Sequence, residues 1–130
     1  MLKFSKEFLI IVIGFILLSF STSGDVQIFS DQTFQKDIKK GIVVVDFWAT
    51  WCGPCRLQAP IFESVAEEYK KEAKFGKVDI DQNKLLSDVY GIYSIPTTII
   101  FKDGKLAWRL EGLTTKETLI QTIKEVKAKK

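Results

Sequence analysis

Apolar and polar positions change period several times between residues 25 and 130, and each change predicts a new element. The segment Ile42–Trp48 (IVVVDFW) is an apolar, β-branched run interrupted by one acid, which is typical of a central strand covered on both faces. Shorter apolar runs predict four further strands, at 26–29, 75–80, 97–101 and 106–110. The last two are joined by a turn that contains Asp103-Gly104, a hairpin signal.

Two shorter helical segments are expected between these strands. Phe34 and Ile38 share one face of a helix predicted up to about residue 39, with Ser30 or Asp31 as its N-cap. A second short helix, with its apolar residues at 85, 86 and 89, is expected to stop at Gly91.

Two longer helices complete the predicted set. After residue 52, apolar residues recur every four positions, at Leu57, Ile61, Val65 and Tyr69. The last helix is expected to begin at Thr114, with Glu117 completing a capping box. The order β-α-β-α-β-α-β-β-α predicts an α/β fold with a central mixed sheet and helices on both faces.

The first 23 residues have a different pattern from the rest. Lys3 and Lys6 precede an apolar run at 8–20, and small polar residues follow it, which is the layout of a secretory signal. As a helix this run would be about 20 Å long, shorter than the roughly 30 Å hydrocarbon core of a bilayer. We therefore expect a secretory signal peptide or N-terminal membrane anchor at 1–23 and one domain at 24–130. The domain would be exported, to the periplasm or the extracytoplasmic face of the membrane.

Composition excludes several classes of function. The chain has no histidine, so it has no Ser-His-Asp or Cys-His catalytic site and no His-ligated metal site. Its net charge is only +3, with 19 basic and 16 acidic residues, which gives no support for nucleic acid binding. We expect no cofactor and a monomeric protein.

The two cysteines, Cys52 and Cys55, are separated only by Gly53 and Pro54. A disulfide that closes so short a loop adds only about 2 kcal/mol as a staple, and two thiolates cannot complete a four-ligand zinc site within one chain. A redox pair fits better, because Cys52 falls where a helix begins and unpaired N–H groups there favour its thiolate. We expect Cys52 to be the nucleophile, and Cys55 to be more buried and to resolve the mixed disulfide.

Asp46 is the one acid in the central strand. Burial would raise its pKa and allow it to exchange a proton near neutral pH. The alternative is a structural acid satisfied by hydrogen bonds, and the sequence alone does not decide between the two.

The segment 46–60 (DFWATWCGPCRLQAP) resembles the active-site segment of thioredoxin, and the similarity extends from about residue 25 to the C-terminus. It includes Ile95-Pro96-Thr97 and the turn at 102–104. The resemblance implies a thioredoxin fold and thiol:disulfide oxidoreductase activity on protein disulfides.

The resemblance also implies roles for individual residues. Cys52 would attack, Cys55 would resolve, and Asp46 would be the buried proton acceptor with Lys77 as its ionic neighbour. The Ile95-Pro96 bond would be cis. The substrate-binding residues implied are Trp51, Gly53, Pro54, Ile95, Pro96 and Gly112.

Some features depart from the family pattern. The leader is foreign to cytosolic thioredoxins, so the electron donor is unidentified, with a membrane thiol reductant as one candidate. Glu111 replaces an apolar rim residue, and Arg56 replaces a lysine. The Gly-Pro dipeptide resembles that of reducing members, so we expect a reductant. The alternatives are a net oxidant, a reductase dedicated to cytochrome c maturation, and a non-catalytic binding module or holdase.

Overall fold

A computed structural model describes residues 25–130, which form one five-stranded mixed sheet with helices on both faces. The predicted leader at 1–23 lies outside the described residues. The strands are β1 (Val26–Ile28), β2 (Ile42–Trp48), β3 (Lys74–Asp79), β4 (Thr97–Lys102) and β5 (Lys105–Glu111); the helices are α1 (Phe34–Asp37), α2 (Gly53–Tyr69), α3 (Lys84–Val89) and α4 (Lys116–Ala128). The predicted order of elements is confirmed. Within 25–130, no helix is both long and apolar enough to cross a bilayer.

The sheet has the strand order β1-β3-β2-β4-β5, with β2 in the centre. β2 runs parallel to β3 and antiparallel to β4, and β5 is the antiparallel partner of β4 across the hairpin. The bounds predicted for β2 are those observed, because a strand buried on both faces has an apolar pattern that differs sharply from its flanks.

Side chains of β2 alternate between two core layers, as the period of a strand requires. Val43, Val45 and Phe47 pack with α1 and α3 on one face of the sheet. Ile42 and Val44 pack with α2 and α4 on the other. Asp46 continues this second series, so its carboxyl group points to the face that α2 covers.

The inward face of α2 does not follow the four-residue repeat of apolar positions. The buried residues of this helix are Cys55, Gln58, Phe62, Val65 and Ala66. The helix that this repeat predicted is confirmed, although Leu57, the first residue of the repeat, is 61% exposed. The reason is geometric: four residues advance about 40° beyond a full helical turn, so a spacing of four drifts across the helix surface.

The start of α1 also differs, because α1 covers only Phe34–Asp37 and its N-cap, Thr33, makes no side-chain capping bond. Asp31 is engaged elsewhere: its carboxylate accepts from the amide of Leu86 in α3 at 3.1 Å. The predicted cap at Ser30 or Asp31 is therefore wrong.

The N-cap of α4 is one residue later than predicted. Thr115 caps the helix, and its hydroxyl accepts from the amide of Thr118 at 3.1 Å. The predicted capping box of Thr114 and Glu117 is wrong, because buried Thr114 uses its main chain to bond Gln58.

Candidate active site

The two cysteines lie just beyond the carboxyl end of β2, at the start of α2, and form a disulfide with a Cα–Cα distance of 5.3 Å. Because β4 is antiparallel to β2, its first residue lies at the same edge of the sheet, and so does the last residue of β5. The segments around residues 50, 95 and 112 therefore meet there. This arrangement brings together the residues for which the resemblance implied substrate binding.

Cys52 is the N-cap of α2, as the sequence predicted. Its Sγ accepts a hydrogen bond from the amide of Cys55 at 3.2 Å. Gly53 and Pro54 fill the first two helical positions, and proline is tolerated there because an amide in the first turn has no partner within the helix. The helix start thus directs an N–H donor and its positive end at the Cys52 sulfur.

The expectation that Cys55 is more buried than Cys52 is wrong, because both residues are 4% exposed. Cys52 is covered from the side by the loop before β4, where its Sγ lies 3.7 Å from the carbonyl oxygen of Ile95. Ala49 also packs against the pair. A difference in reactivity between the two thiols must therefore come from the helix terminus rather than from exposure.

Asp46 is 4% exposed, and burial raises the pKa of its carboxyl group from 3.8 to about 7, although the charge of Lys77 lowers it. Its Oδ1 atom has no hydrogen-bond partner in the described protein. A structural acid satisfied by hydrogen bonds would need such partners. No protein group among the described residues supplies such a partner for Oδ1, and this atom lies beside a cavity.

A cavity of about 290 Å³ connects Asp46 with the redox pair. Its lining includes Asp46, Trp48, Cys55, Arg56, Glu63 and Lys77. Besides Asp46 Oδ1, the buried atoms Trp48 Nε1 and Thr98 Oγ1 lack partners in the described protein. The cavity, which Asp46 and Cys55 border together with charged side chains, is large enough to hold water molecules.

Lys77 is paired with Asp46 in the register of β2 and β3. Its Nζ lies over the indole ring of Trp48, 5.1 Å from the centroid. The lysine therefore acts on Asp46 through its charge, and its side chain also helps to line the cavity.

Trp51 lies at the rim and is 65% exposed. Its Nε1 donates to Asp81 Oδ2 at 2.8 Å, which fixes the orientation of the indole ring. Sequence reasoning missed Asp81. The available signal was its position just after β3, the strand beside β2.

The Ile95-Pro96 peptide bond is cis, as the resemblance implied. The carbonyl oxygen of Pro96 accepts from the amide of Gly112 at 2.8 Å, so the loops before β4 and after β5 are joined. Gly112 has a φ of +82°, a conformation that favours glycine.

Gln58 is a second residue that sequence reasoning missed, since a polar residue was not expected on the inner face of α2. It is 0% exposed. Its Nε2 donates to the carbonyl oxygen of Thr114 at 3.1 Å, and its Oε1 accepts from the amide of Thr114 at 2.7 Å. Its position one turn after Cys55 was the only signal.

Among residues 25–130, no three Cys, Asp or Glu side chains gather as metal ligands would.

The family model for thioredoxin matches residues 25–125. Thioredoxin from Listeria monocytogenes is 43% identical over 94 residues, which cover 72% of this chain and 91% of that protein. Thioredoxin from Staphylococcus aureus is 40% identical over 94 residues, which cover 72% of this chain and 90% of the Staphylococcus aureus protein.

Among solved structures, a thioredoxin of Malassezia sympodialis (Mala s 13) superposes with a TM-score of 0.73 at 34% identity. The match covers 82% of this chain and 94% of that one. The chain therefore belongs to the thioredoxin family, has the thioredoxin fold, and carries the Cys52–Cys55 redox pair of a protein-disulfide reductase.

Proposed function

We propose that the protein is an exported thioredoxin that acts as a net reductant of protein disulfides outside the cytoplasm, and that it works as a monomer. The observation that carries the reductase chemistry is the position of Cys52 at the N-terminus of α2. There its sulfur accepts a hydrogen bond from the amide of Cys55. The leader-like pattern at 1–23 supports export.

In the first step, the Cys52 thiolate attacks one sulfur of a target disulfide. A Cys52–sulfur bond forms, the target disulfide breaks, and its other sulfur leaves as a thiolate that takes up a proton. The amide of Cys55 and the positive end of α2 stabilise the Cys52 thiolate before the attack.

In the second step, Cys55 loses its proton and attacks the Cys52 sulfur. The Cys52–Cys55 disulfide forms, the target sulfur leaves and is protonated, and two electrons have passed to the target. Asp46 accepts the proton of Cys55 through the cavity that both residues line. The charge of Lys77, which lies beside Asp46, lowers the pKa of the Asp46 carboxyl group and so opposes part of the effect of burial.

The substrate is held by main-chain groups beside Cys52. The carbonyl oxygen of Ile95 lies 3.7 Å from Cys52 Sγ, where it can face an extended segment of the target. Pro96 and Gly112 fix this loop through their mutual hydrogen bond. Trp51 and Pro54 supply an exposed rim whose contacts do not depend on one target sequence.

Each turnover leaves the enzyme oxidised, so a two-electron thiol donor must reduce it again. The exported location proposed here favours a membrane thiol reductant over a soluble cytosolic one. The dipeptide Gly53-Pro54, similar to that of reducing thioredoxins, favours net reduction over net oxidation.

Catalysis is tested by insulin reduction with the wild type, Cys52→Ser and Cys55→Ser. We expect turnover by the wild type alone, and a trapped mixed disulfide with Cys55→Ser. A Cys52→Ser variant that supports the natural role of the protein would instead favour a binding module or holdase. The redox potential of the pair, measured against glutathione, separates a reductant from an oxidant.

Export is tested by fractionating cells that express the full chain. Val12→Arg interrupts the apolar run at 8–20 and should leave the protein inside the cytoplasm, because a charge in that run opposes insertion. Ser5→Arg adds the same charge before the run and serves as the matched control. Cytoplasmic location of the wild-type chain would reject export without affecting the reductase chemistry.

A further inference from the structure

Gln58 is a fully buried polar residue on the helix that carries the cysteines. Its carboxamide makes two hydrogen bonds to a single main-chain residue, Thr114, which is 56 positions away in sequence. Every polar atom of the side chain is directed at one segment, the chain between β5 and α4. The chemistry described above does not use this contact.

A continuous path of contacts passes from one cysteine to the other through Gln58. Gln58 lies three residues after Cys55 on the buried face of α2 and binds Thr114. The Thr114 hydroxyl donates to the Gly112 carbonyl oxygen at 3.4 Å, and the Gly112 amide donates to Pro96. The residue before Pro96 is Ile95, whose carbonyl oxygen lies beside Cys52 Sγ. The substrate-docking loops are thus linked to the cysteine helix on the side away from the target.

We propose that Gln58 is a positioning residue that holds the 112–114 segment against α2, so that the main chain of Gly112 and Ile95 stays in register with Cys52 when a protein substrate docks. This inference rests on the reductase chemistry described above. It assigns no role to Gln58 in activating either thiol. Gln58 is therefore expected to affect large substrates, which need the docking loops, far more than small ones.

The carboxamide suits this task because Thr114 presents one donor and one acceptor. An amide supplies the complementary acceptor and donor. Leucine has a similar volume and supplies neither, and an ionised carboxylate supplies only acceptors, one of which would face the Thr114 carbonyl oxygen. A neutral carboxyl group can satisfy both groups again, with its O–H donating to the carbonyl and its other oxygen accepting from the amide.

The test compares Gln58→Leu and Gln58→Glu in the full-length protein. Reduction of a protein disulfide (insulin) and of a small aromatic disulfide reagent is measured for each variant between pH 6 and pH 9. The ratio of the two rates is the readout. It is compared with the wild-type ratio measured at the same pH, so that the effects of pH on the shared thiol chemistry are present in both values. We expect Gln58→Leu to lower this ratio about tenfold, since small misplacements of docking groups cost rate in this range.

Gln58→Glu supplies the sharper test. Its ratio should approach that of the wild type at the acid end, where the carboxyl is neutral, and should fall towards the Gln58→Leu value as the pH rises. The direct partners of position 58 are neutral main-chain groups, and Arg56 and Glu63 on the same helix are exposed. On the elements packed against α2, Lys116 of α4 bonds Ser64 and Glu68, and Asp46 and Lys77 of the sheet line the cavity beside Cys55. Gln121→Glu and Gln121→Leu are the matched controls, because exposed Gln121 on α4 bonds only Glu125, and both should keep the wild-type ratio.

Equal slowing of both substrates by Gln58→Leu would overturn the positioning role. So would a Gln58→Glu ratio that keeps the wild-type value at a pH where titration shows the introduced carboxyl to be ionised. If the Gln58→Leu variant does not fold, the rate ratio of the Gln58→Glu variant as a function of pH decides whether Gln58 has the positioning role. A wild-type protein that reduces neither substrate would instead reject the reductase chemistry, so the two failures are distinguishable.

Discussion

Asp46 and Lys77 are directly paired across β2 and β3, yet Lys77 Nζ lies over the Trp48 ring and forms no salt bridge with the Asp46 carboxylate. Burial therefore has a larger effect on Asp46 than its cationic neighbour, and the pKa of the carboxyl group rises to about 7. An acid in this condition costs stability when it ionises.

Asp46→Asn should stabilise the protein, and the gain should depend on pH. Because the pKa is raised from 3.8 to about 7 on folding, stability from the neutral carboxyl is fully present below pH 3.8 and is lost as the pH rises to 7. The loss amounts to roughly 4 kcal/mol at most. Urea unfolding should show little gain for the variant at pH 4 and the full gain at pH 8. Asp88→Asn, at an exposed position, should change stability by less than about 0.5 kcal/mol at either pH.

The same substitution should slow the second chemical step. Without a carboxylate beside the cavity, Cys55 loses its proton less readily, and general base catalysis of this kind contributes about 100-fold or more. A single-turnover experiment should show normal formation of the mixed disulfide and slow release of the reduced target. Wild-type release rates would leave Asp46 as a structural acid.

In the reduced protein, iodoacetamide at pH 7 should label Cys52 before Cys55. The two residues are equally buried, so the expected difference comes from the helix N-terminus that faces the Cys52 sulfur. Mass spectrometry of peptides from a time course gives both rates. Equal rates, or faster labelling of Cys55, would reverse the assigned roles.

Gly76→Ala should destabilise the protein by about 1–3 kcal/mol or more, as overpacked core substitutions do. A Cβ at this position would lie 2.1 Å from Cε2 of Phe29, whose ring packs against β3. Thermal unfolding gives the comparison. Gly53→Ala is the control, because a Cβ there meets no atom within 4 Å and should leave stability nearly unchanged.

Arg109→Lys should weaken the attachment of the loop that carries Ile95. The guanidinium of Arg109 donates to the carbonyl oxygens of Tyr90 and Gly91, just after α3, and to Glu111. A lysine cannot reproduce this fork, so we expect a loss of about 1.5–3 kcal/mol in denaturant unfolding. Glu111→Gln removes only the exposed partner and should cost less than about 1 kcal/mol. Equal losses for both variants would contradict the importance of the two carbonyl contacts.

Much of the fold could be predicted from the sequence because its strongest patterns are local. The run 42–48 predicted β2 correctly, and the cysteine pair predicted the start of α2. The cis form of the Ile95-Pro96 bond was predicted from the resemblance alone, since most peptide bonds before proline are trans.

The errors arose where the decisive contact is distant in sequence. Asp31 was expected to cap its own helix, but α3 supplies its partner. Glu117 pointed to Thr114 as the cap of the last helix, but Thr114 bonds Gln58, 56 residues earlier, and Thr115 caps the helix. Gln58 itself was missed because a polar residue on a helix is ordinarily assigned to the solvent side.

Asp25, just before β1, forms a salt bridge with Lys70 at 3.5 Å, so the chain enters the domain beside Lys70. Lys70 directly follows α2, a helix of 17 residues and therefore about 25 Å long, and Cys52 caps its other end. A tether attached before Asp25 would thus hold the domain by the end remote from its dithiol. If the segment 1–23 is kept as the anchor we propose as one alternative, we expect the dithiol to lie at the end of the domain away from the attachment. Disulfides of proteins in the surrounding space would then be reached more readily than those at the lipid surface.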